Sequence, residues 1–391
     1  MRAPVPFVAP PLPVVAPPAV RDDVALAAVD PAAWDALPGG QPFLSHAFLT
    51  ALETTGCAIP RTGWAPRFLT AWRGDRLVGA LPLYAKAHSY GEYVFDWAWA
   101  DAYRRHGRRY YPKLVASVPF TPVPGPRVLA AEPDVRAALV DRALDFVRRG
   151  THSSLHLLFV TEGEAAEGDA LGMIRRQGTQ FHWTNPGYRD FADFLGTFTH
   201  DKRKKVKQER RKLAEAGVTF ERKRGADIGA ADWAFFYRCY ERTYRLHHST
   251  PYLTPEFFAE IGRTLADNVL LVVGSRDGRP LCTALDVFDA NALWGRYWGT
   301  VEHVPGLHFD ACYYQAIEFC IERGIGRFEG GAQGLHKLAR GLRPVPTHSL
   351  HAVGDPAFAD AIAEFCARER TDVAHAQDEL SASSPFREAN G

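Results

Sequence analysis

The chain has 391 residues, with 46 Lys and Arg against 45 Asp and Glu, and 46% of its residues are hydrophobic. This length exceeds that of one ordinary domain, and the composition excludes a largely disordered protein. Because the charges nearly cancel, the chain as a whole does not attract nucleic acid or membranes, and any such attraction has to come from a local patch.

The cysteines and the N-terminal segment bear on the cellular compartment of the protein and on its relation to membranes. The six cysteines are dispersed, without a CxxC pair or zinc-site spacing, so we predict a reducing compartment and no bound metal. No apolar run approaches the roughly 20 residues of a membrane span. The first twenty residues are rich in Pro, which breaks the apolar helix of a signal peptide. We predict a cytoplasmic protein with a disordered tail over residues 1–20 and no integral membrane segment.

The first half of the chain, residues 21–190, alternates strand-like and helix-like segments. A turn with hairpin chemistry separates the first pair of longer strands. Four prolines in residues 118–127 exclude helix and central strand and predict a rigid loop. We predict strands over residues 24–29, 67–72, 77–85, 155–160 and near Phe181, and helices over residues 45–55, 133–149 and 170–176.

The second half, residues 191–391, repeats that order. Asp232, Thr254 and Asp310 are predicted to cap helix N-termini, and Gly324 is predicted to end a helix. The sequence therefore predicts an α/β fold with mixed sheets in which one order of elements occurs twice. We predict strands over residues 218–221, 269–273, 281–288, 292–299 and up to Phe328, and helices over residues 199–216, 232–247, from 254 and 311–323.

This order is that of the GCN5-related N-acyltransferase (GNAT) fold, and two tandem copies resemble the FemAB-like ligases. The resemblance is to the FemAB-like family of peptidoglycan biosynthesis or recognition proteins, and it covers nearly the whole chain after the tail. It implies two tandem duplicated GNAT-like domains, over residues 21–190 and 191–391. The segments that carry it are residues 118–127, 200–218, 251–258, 295–299, 306–318 and 328–341.

A basic helix over residues 199–216 opens the second half. Eight of the eleven residues 202–212 are Lys or Arg. Like charges at i,i+3 and i,i+4 destabilise a helix unless an anion offsets them, so we predict that this helix binds phosphates of a tRNA, a precursor or an anionic membrane surface. The alternative is a solvated linker helix. The predicted anion-binding residues are Lys202, Arg203, Lys204, Lys205, Lys207, Arg210 and Arg211.

The leading candidate site follows the strand that ends near Phe328. There Glu329 adjoins a glycine-rich loop, where a carboxylate can accept the proton of an amine. We predict catalytic roles for Glu329, His308 and His336. The alternatives are structural. Tyr297 and Trp298 could be core aromatic residues with Arg296 as a paired surface charge, and Asp310 could serve only as a helix cap. Glu329 could form an ion pair with Lys337 on a charged loop. The predicted substrate-binding residues are Arg296, Tyr297, Trp298, Asp310, Gln333, Lys337 and Arg340.

Two features of the second half bear on the reaction. Strand alternation predicts that Arg296 and Trp298 share one face and that Tyr297 lies on the other. CoA-dependent members of the GNAT superfamily cradle the pyrophosphate with a Gly-rich loop, whereas here one Gly and the anionic Asp310 precede the helix. Aminoacyl-tRNA and acyl-CoA are both candidate donors, and this departure favours aminoacyl-tRNA or another activated acyl group.

We therefore predict an acyl- or aminoacyltransferase that forms an amide on a small-molecule or lipid-linked amine, such as a cell-wall precursor. One alternative is an acetyl-CoA-dependent N-acetyltransferase. Another is a non-catalytic module that binds a cell-wall precursor or an anionic polymer. The family pattern has Glu after the Gln-Gly of the loop, where this chain has Leu335, and that departure supports the non-catalytic alternative.

Overall fold

The computed structural model describes residues 16–332, 334–382 and 385–387. The strands are β1 Ala19–Arg21, β2 Trp64–Pro66, β3 Leu69–Arg73, β4 Arg76–Leu81, β5 Tyr84–Lys86, β6 Lys113–Ala116, β7 Ser154–Val160, β8 Ile174–Thr184, β9 Val218–Arg224, β10 Val269–Arg276, β11 Arg279–Phe288, β12 Ala292–Thr300, β13 Arg327–Glu329 and β14 Arg343–Val353. The α-helices are α1 Pro31–Asp35, α2 His46–Thr54, α3 Trp97–Arg105, α4 Pro133–Arg148, α5 Glu162–Ala170, α6 Phe191–Gly196, α7 His200–Glu215, α8 Ala230–Leu246, α9 Pro255–Thr264, α10 Leu307–Phe309, α11 Gln315–Arg323 and α12 Pro356–Ala382.

One eleven-stranded mixed sheet runs through both halves, in the order β2-β5-β6-β7-β14-β8-β13-β12-β11-β10-β9. A smaller sheet has the order β1-β3-β4. The halves exchange their last strands, because β14 lies between β7 and β8, and β8 lies between β13 and β14. The division into domains at residues 190 and 191 stays a prediction, since each half completes the sheet of the other.

Both halves also contribute to one apolar core. Phe43 of the first half contacts Trp294 of the second edge to face, with 5.4 Å between ring centroids. Phe48 contacts Phe257 in the same way at 5.5 Å. Aromatic pairs in this geometry add to the stabilisation that burial gives. The faces of the two halves that meet here are therefore fixed relative to each other by packing.

Most predicted elements are present, and the helix caps explain why. Ser45 accepts a hydrogen bond from Phe48 N–H at the start of α2, and Thr254 accepts one from Phe257 N–H at the start of α9. Gly324 ends α11 in the left-handed conformation, at φ +68°, which glycine adopts without strain. The predicted meander is β10, β11 and β12, which pair in sequence.

Several predicted elements are wrong. No strand forms over residues 24–29, where Leu26–Ala28 is a short 3-10 helix. The predicted helix over residues 170–176 is α5, which ends at Ala170, followed by β8. Asp232 does not occupy the N-cap of α8, since Gly229 does and Asp232 accepts a hydrogen bond from its N–H.

The predicted tail is shorter than expected. Ala19 and Val20 belong to β1, which pairs antiparallel with β3, so they are not disordered. Residues 1–15 lie outside the described residues. In the part of the chain that is described, no helix has both the length and the apolar content to cross a bilayer.

Candidate active site

Strands β12 and β13 are parallel and paired only at one end. Their pairing covers Ala292–Trp294 and Arg327–Glu329, while β12 continues to Thr300. Strand β13 ends at Glu329, so the rest of β12 has no strand partner on this side within the described chain, and a cavity of about 120 Å³ lies beside it. Residues from β11, β12, the helical segment after residue 306 and the end of β13 line it. Among the predicted site residues, the lining includes Arg296, Tyr297, Trp298 and His308.

A β-bulge shapes the cavity wall. Opposite β11, Leu285 pairs with Tyr297 and the next residue, Asp286, pairs with Gly295. Arg296 is thus an extra residue without a partner on β11. A bulge of this kind disrupts the alternation of side chains along a strand.

The bulge overturns the predicted distribution of side chains. Arg296 Nη2 and the Tyr297 hydroxyl both donate to the carbonyl oxygen of Phe120, at 3.0 and 3.4 Å. Arg296 and Tyr297 therefore both reach toward the first half. Trp298 lies against His308, with 4.9 Å between ring centroids. The prediction that Arg296 and Trp298 share one face is wrong.

Asp286 and Cys312 are two further lining residues, and the sequence did not single them out. Asp286 is 1% exposed and its Oδ2 has no hydrogen-bond partner within the described chain. Burial raises the pKa of this carboxyl well above its usual value. Burial likewise raises the pKa of the Cys312 thiol well above its usual value. The thiol is therefore protonated at neutral pH, which argues against a covalent thioester intermediate.

His308 and His336 belong to one aromatic cluster. Their ring centroids lie 5.6 Å apart, and the Tyr313 hydroxyl lies 2.9 Å from His336 Nε2. Burial, followed by the positive fields of His336, Arg340 and Lys337, lowers the pKa of His308 to about 4. Burial also lowers the pKa of His336. Both imidazoles are consequently neutral near pH 7 and able to accept a proton.

Lys337 and Arg340 are buried in the loop that follows β13. Lys337 Nζ donates to the carbonyl of Gly331 at 3.2 Å, and burial lowers the Lys337 pKa to about 8. The Arg340 guanidinium carbon lies 3.4 Å from the ring centroid of Phe309, and Nη2 donates to Glu209 at 2.9 Å. Arg340 thus fixes this loop against α7 and α10. The substrate-binding roles of both residues stay predictions.

The two chain neighbours of Glu329, Phe328 and Gly330, line the cavity, but Glu329 itself does not. Its Oε1 accepts a hydrogen bond from Arg327 Nε at 2.9 Å, and its Oε2 is 3.8 Å from His182 Nε2. Burial raises the Glu329 pKa to about 7, against the opposing effect of Arg327. The alternative ion pair with Lys337 does not form. The catalytic role of Glu329 stays a prediction, with a side chain that is 4% exposed.

Asp310 does not cap a helix. Gly306, at φ +89°, precedes α10, and a π-helical turn over Asp310–Tyr314 joins α10 to α11. Asp310 lies inside this continuous helical segment. Its carboxylate accepts from Arg210 Nε at 3.2 Å and from Gln315 Nε2 at 2.8 Å. The predicted capping role is therefore wrong, and the residue connects α7 to the helix beside the cavity.

Helix α7 divides the predicted basic residues into two sets. Arg210 faces the protein and also donates to Glu318 at 2.6 Å, so it is not part of an exposed anion site. The outer face of α7 lines an open groove of about 370 Å³. Lys202 and Lys205 are exposed as well. The groove residues are His200, Arg203, Lys204, Lys207, Gln208 and Arg211.

The glycine-rich loop after β13 contains Gln333 and Leu335. Gln333 lies outside the described residues. Leu335 is 66% exposed and faces solvent. Within the described chain, no group of three or more His, Cys, Asp or Glu side chains is placed to hold a metal ion.

The fold and the open strand pair define a GNAT-like tandem architecture, which confirms the predicted fold class. The chain belongs to the FemAB-like family, described by its role in peptidoglycan biosynthesis/recognition, whose model matches residues 25–388. The structure of FemX is similar, with a TM-score of 0.53, 12% identity, and coverage of 85% of this chain and 97% of FemX. L-PGS from Bacillus licheniformis is similar with a TM-score of 0.51, 11% identity, and coverage of 85% and 94%. No match was found among curated proteins.

Proposed function

We propose that this protein is an acyl- or aminoacyltransferase that forms an amide on an amine acceptor. The observation that carries the proposal is the cavity beside the part of β12 that is unpaired on the β13 side, and the neutral imidazole of His308 lines this cavity. The family description supports a cell-wall precursor as the acceptor. Such a precursor and its donor would meet the enzyme in the cytoplasm.

The reaction we propose is direct transfer. The acceptor nitrogen attacks the carbonyl carbon of an ester or thioester, the nitrogen–carbon bond forms, and the bond from carbon to the leaving oxygen or sulfur breaks. His308 accepts the proton that the amine loses, and the leaving group takes up a proton in turn. A proton acceptor of low basicity suffices, because an amine becomes strongly acidic as it bonds to the carbonyl carbon.

The surroundings of α10 favour an aminoacyl ester over acyl-CoA. A Cβ atom built on Gly306 would lie 3.9 Å from the Glu209 carbonyl and 3.8 Å from Leu213 Cδ1. Helix α7 therefore covers the helix start at which a pyrophosphate would bind. Asp310 adds a negative charge one turn further on.

The outer face of α7 supports a nucleic-acid donor. Arg203, Lys204 and Lys207 lie on one exposed face, and none of them makes an ion pair within the described residues. Unpaired cations spaced along a groove attract a phosphate backbone, and this attraction weakens as salt increases. The groove lies on the same helix whose inner face contacts the site loop through Glu209.

The test is a transfer assay with the full chain. Mixed aminoacyl-tRNA carrying radiolabelled amino acids is incubated with a nucleotide-linked or lipid-linked peptidoglycan precursor, and acetyl-CoA replaces the tRNA in a parallel reaction. We expect label in the precursor with aminoacyl-tRNA only. His308→Ala should reduce the rate about 100-fold, as removal of a general base does, whereas His303→Ala, on an exposed loop nearby, should leave it unchanged. Precursor binding without any product would overturn the proposal in favour of a binding module.

A further inference from the structure

The cavity between β12 and β13 contains a carboxyl group that the reaction described above does not use. Asp286 lies on β11, directly opposite Gly295. Glycine at that position leaves space, since a built Cβ would lie 3.5 Å from Asp286 Oδ1. The Asp286 side chain is buried, lines the cavity, and leaves Oδ2 without a hydrogen bond inside the described chain.

Asp286 differs from every other buried carboxylate of the described residues. Each of the others has a cation within 4 Å, and Asp286 has none. A buried carboxyl group without a partner is costly, and proteins retain such groups mainly where a ligand completes them. The other buried carboxylates are Glu92 and Asp96 with Lys113, Glu164 with Arg136, Asp310 with Arg210, and Glu329 with Arg327.

A cation that pairs with Asp286 therefore has to come from a ligand. That ligand has to place its cation beside the reacting carbonyl group. The acceptor amine cannot be this cation in the reacting complex, because it must be unprotonated when it attacks. An aminoacyl ester carries an ammonium group on the carbon next to its ester carbonyl, whereas an acetyl or fatty acyl group carries none. Tyr297, Trp298 and Tyr313 also line the cavity, and aromatic faces favour a cation further.

We propose that Asp286 binds the α-ammonium group of an aminoacyl donor and thereby selects aminoacyl esters over other acyl groups. This inference rests on the proposed transfer function and names its donor class. The bound ammonium group offsets the cost of ionising the buried carboxyl, which releases its proton to solvent as the ligand binds, and Oδ2 then accepts a hydrogen bond. A charge-assisted hydrogen bond of this kind is short and strong in a water-poor site.

Binding of two matched analogues tests the inference. 3′-Amino-3′-deoxyadenosine acylated with L-alanine mimics the aminoacyl end of a tRNA without a cleavable ester. The isobutyryl derivative replaces the ammonium group by a methyl group of similar size. Isothermal titration should show that the wild type binds the alanyl analogue at least tenfold more tightly. Asp286→Asn should reduce that ratio to about two or less, with binding of the isobutyryl analogue unchanged.

The controls separate this inference from a folding defect and from failure of the transfer reaction. Asp289→Asn, in the turn after β11, keeps the oxygen that accepts hydrogen bonds from Asn291 and Ala292 N–H and should keep the tenfold preference. Equal binding of the two analogues to the wild type, no binding of the alanyl analogue, or an unchanged preference in Asp286→Asn would each overturn the inference. If the preference holds but no label reaches a precursor, the assignment of Asp286 stands and the proposed acceptor is wrong.

Discussion

Each half of the molecule contains one parallel strand pair, β6 with β7 in the first and β12 with β13 in the second. In the second half β13 ends after three residues, and β12 continues beside a cavity without a strand partner on that side within the described chain. In the first half the rigid loop over residues 118–127 follows β6 and fills the corresponding space. Gly125 N–H donates to Phe159 O, and the Arg127 guanidinium donates to Leu158 O and Phe159 O. Of the two corresponding positions, the one in the second half holds a cavity, and the one in the first half is occupied by the loop.

The interiors of the two halves differ in charge balance as well. The first half contains a buried network in which Lys113 contacts Glu92 and Asp96, so each charge has a partner. The second half contains Asp286, which has none within the described chain. Buried charges that compensate one another suit a structural role, and a buried carboxyl group without a nearby cation suits a binding site.

One carbonyl group links the rigid loop of the first half to the bulge of β12 in the second half. Phe120, in the loop that closes the first half, accepts hydrogen bonds from both Arg296 and Tyr297 of the second. The closed half therefore supports the bulge that shapes the open half. The comparison can be tested by disrupting the closed half and by neutralising the unpaired carboxyl of the open one.

The largest effect is expected from Lys113→Met, which removes the cation between two buried carboxylates. We expect the free energy of unfolding to fall by about 3–5 kcal/mol, because an uncompensated buried charge remains. Urea unfolding followed by circular dichroism measures it. Lys212→Met, on the exposed face of α7, is the matched control and should change stability by less than about 0.5 kcal/mol. A similarly small loss in Lys113→Met would show that the pairing of Lys113 with Glu92 and Asp96 does not stabilise the first half.

A smaller loss, roughly 2–3 kcal/mol, is expected from Arg127→Met. Methionine fills much of the same volume but removes the guanidinium donors of the buried Leu158 and Val123 carbonyls, whereas Phe159 O keeps its hydrogen bond from Gly125 N–H. Because the loop also carries Phe120, transfer activity should fall together with stability. Thermal unfolding and the transfer assay report the two effects, with the exposed Arg149→Met as control. Full activity at reduced stability would mean that the loop does not position the bulge.

The smallest effect is a gain in stability in Asp286→Asn that depends on pH. Burial holds the pKa of this carboxyl in the folded protein above its unfolded value of 3.8. Between these two values the unfolded chain is ionised and the folded one is protonated, so rising pH destabilises the wild type. Asparagine does not ionise. We expect the variant to be more stable by about 1–2 kcal/mol at pH 7, and this difference to shrink as the pH falls toward 4. A difference that is constant with pH would contradict the assigned protonation state.

Local signals in the sequence predicted most helices and the meander correctly. Thr254 caps the helix that it was expected to cap, and α4 has the apolar face that its spacing predicts. Of strand β8, only the part near Phe181 was predicted, and its first residues were assigned to a helix because its polar residues do not show strand alternation. Their partners come from elsewhere in the chain, as in the pairs Arg175–Glu162 and Arg176–Glu369.

The site was predicted in part. Arg296, Tyr297, Trp298 and His308 do line one cavity, since the motif around β12 and the segment before α11 converge there. Asp286 carried a weak signal, as the single acidic residue in the otherwise uncharged segment of β11 over residues 280–288. Asp286 becomes a candidate binding residue only because no cation lies near it in the fold. The spacing of residues along the sequence does not predict that.

By itself, the sequence determined the order of elements, the family, and the residue types available for transfer chemistry. Caps, turns and hydrophobic periodicity act over a few residues, and they can be recognised locally. Only the tertiary structure decided that the halves exchange β8 and β14, that the bulge turns Arg296 toward Phe120, and that Asp286 stays unpaired. These outcomes follow from pairing and burial between residues that are far apart in the chain, where many partners compete.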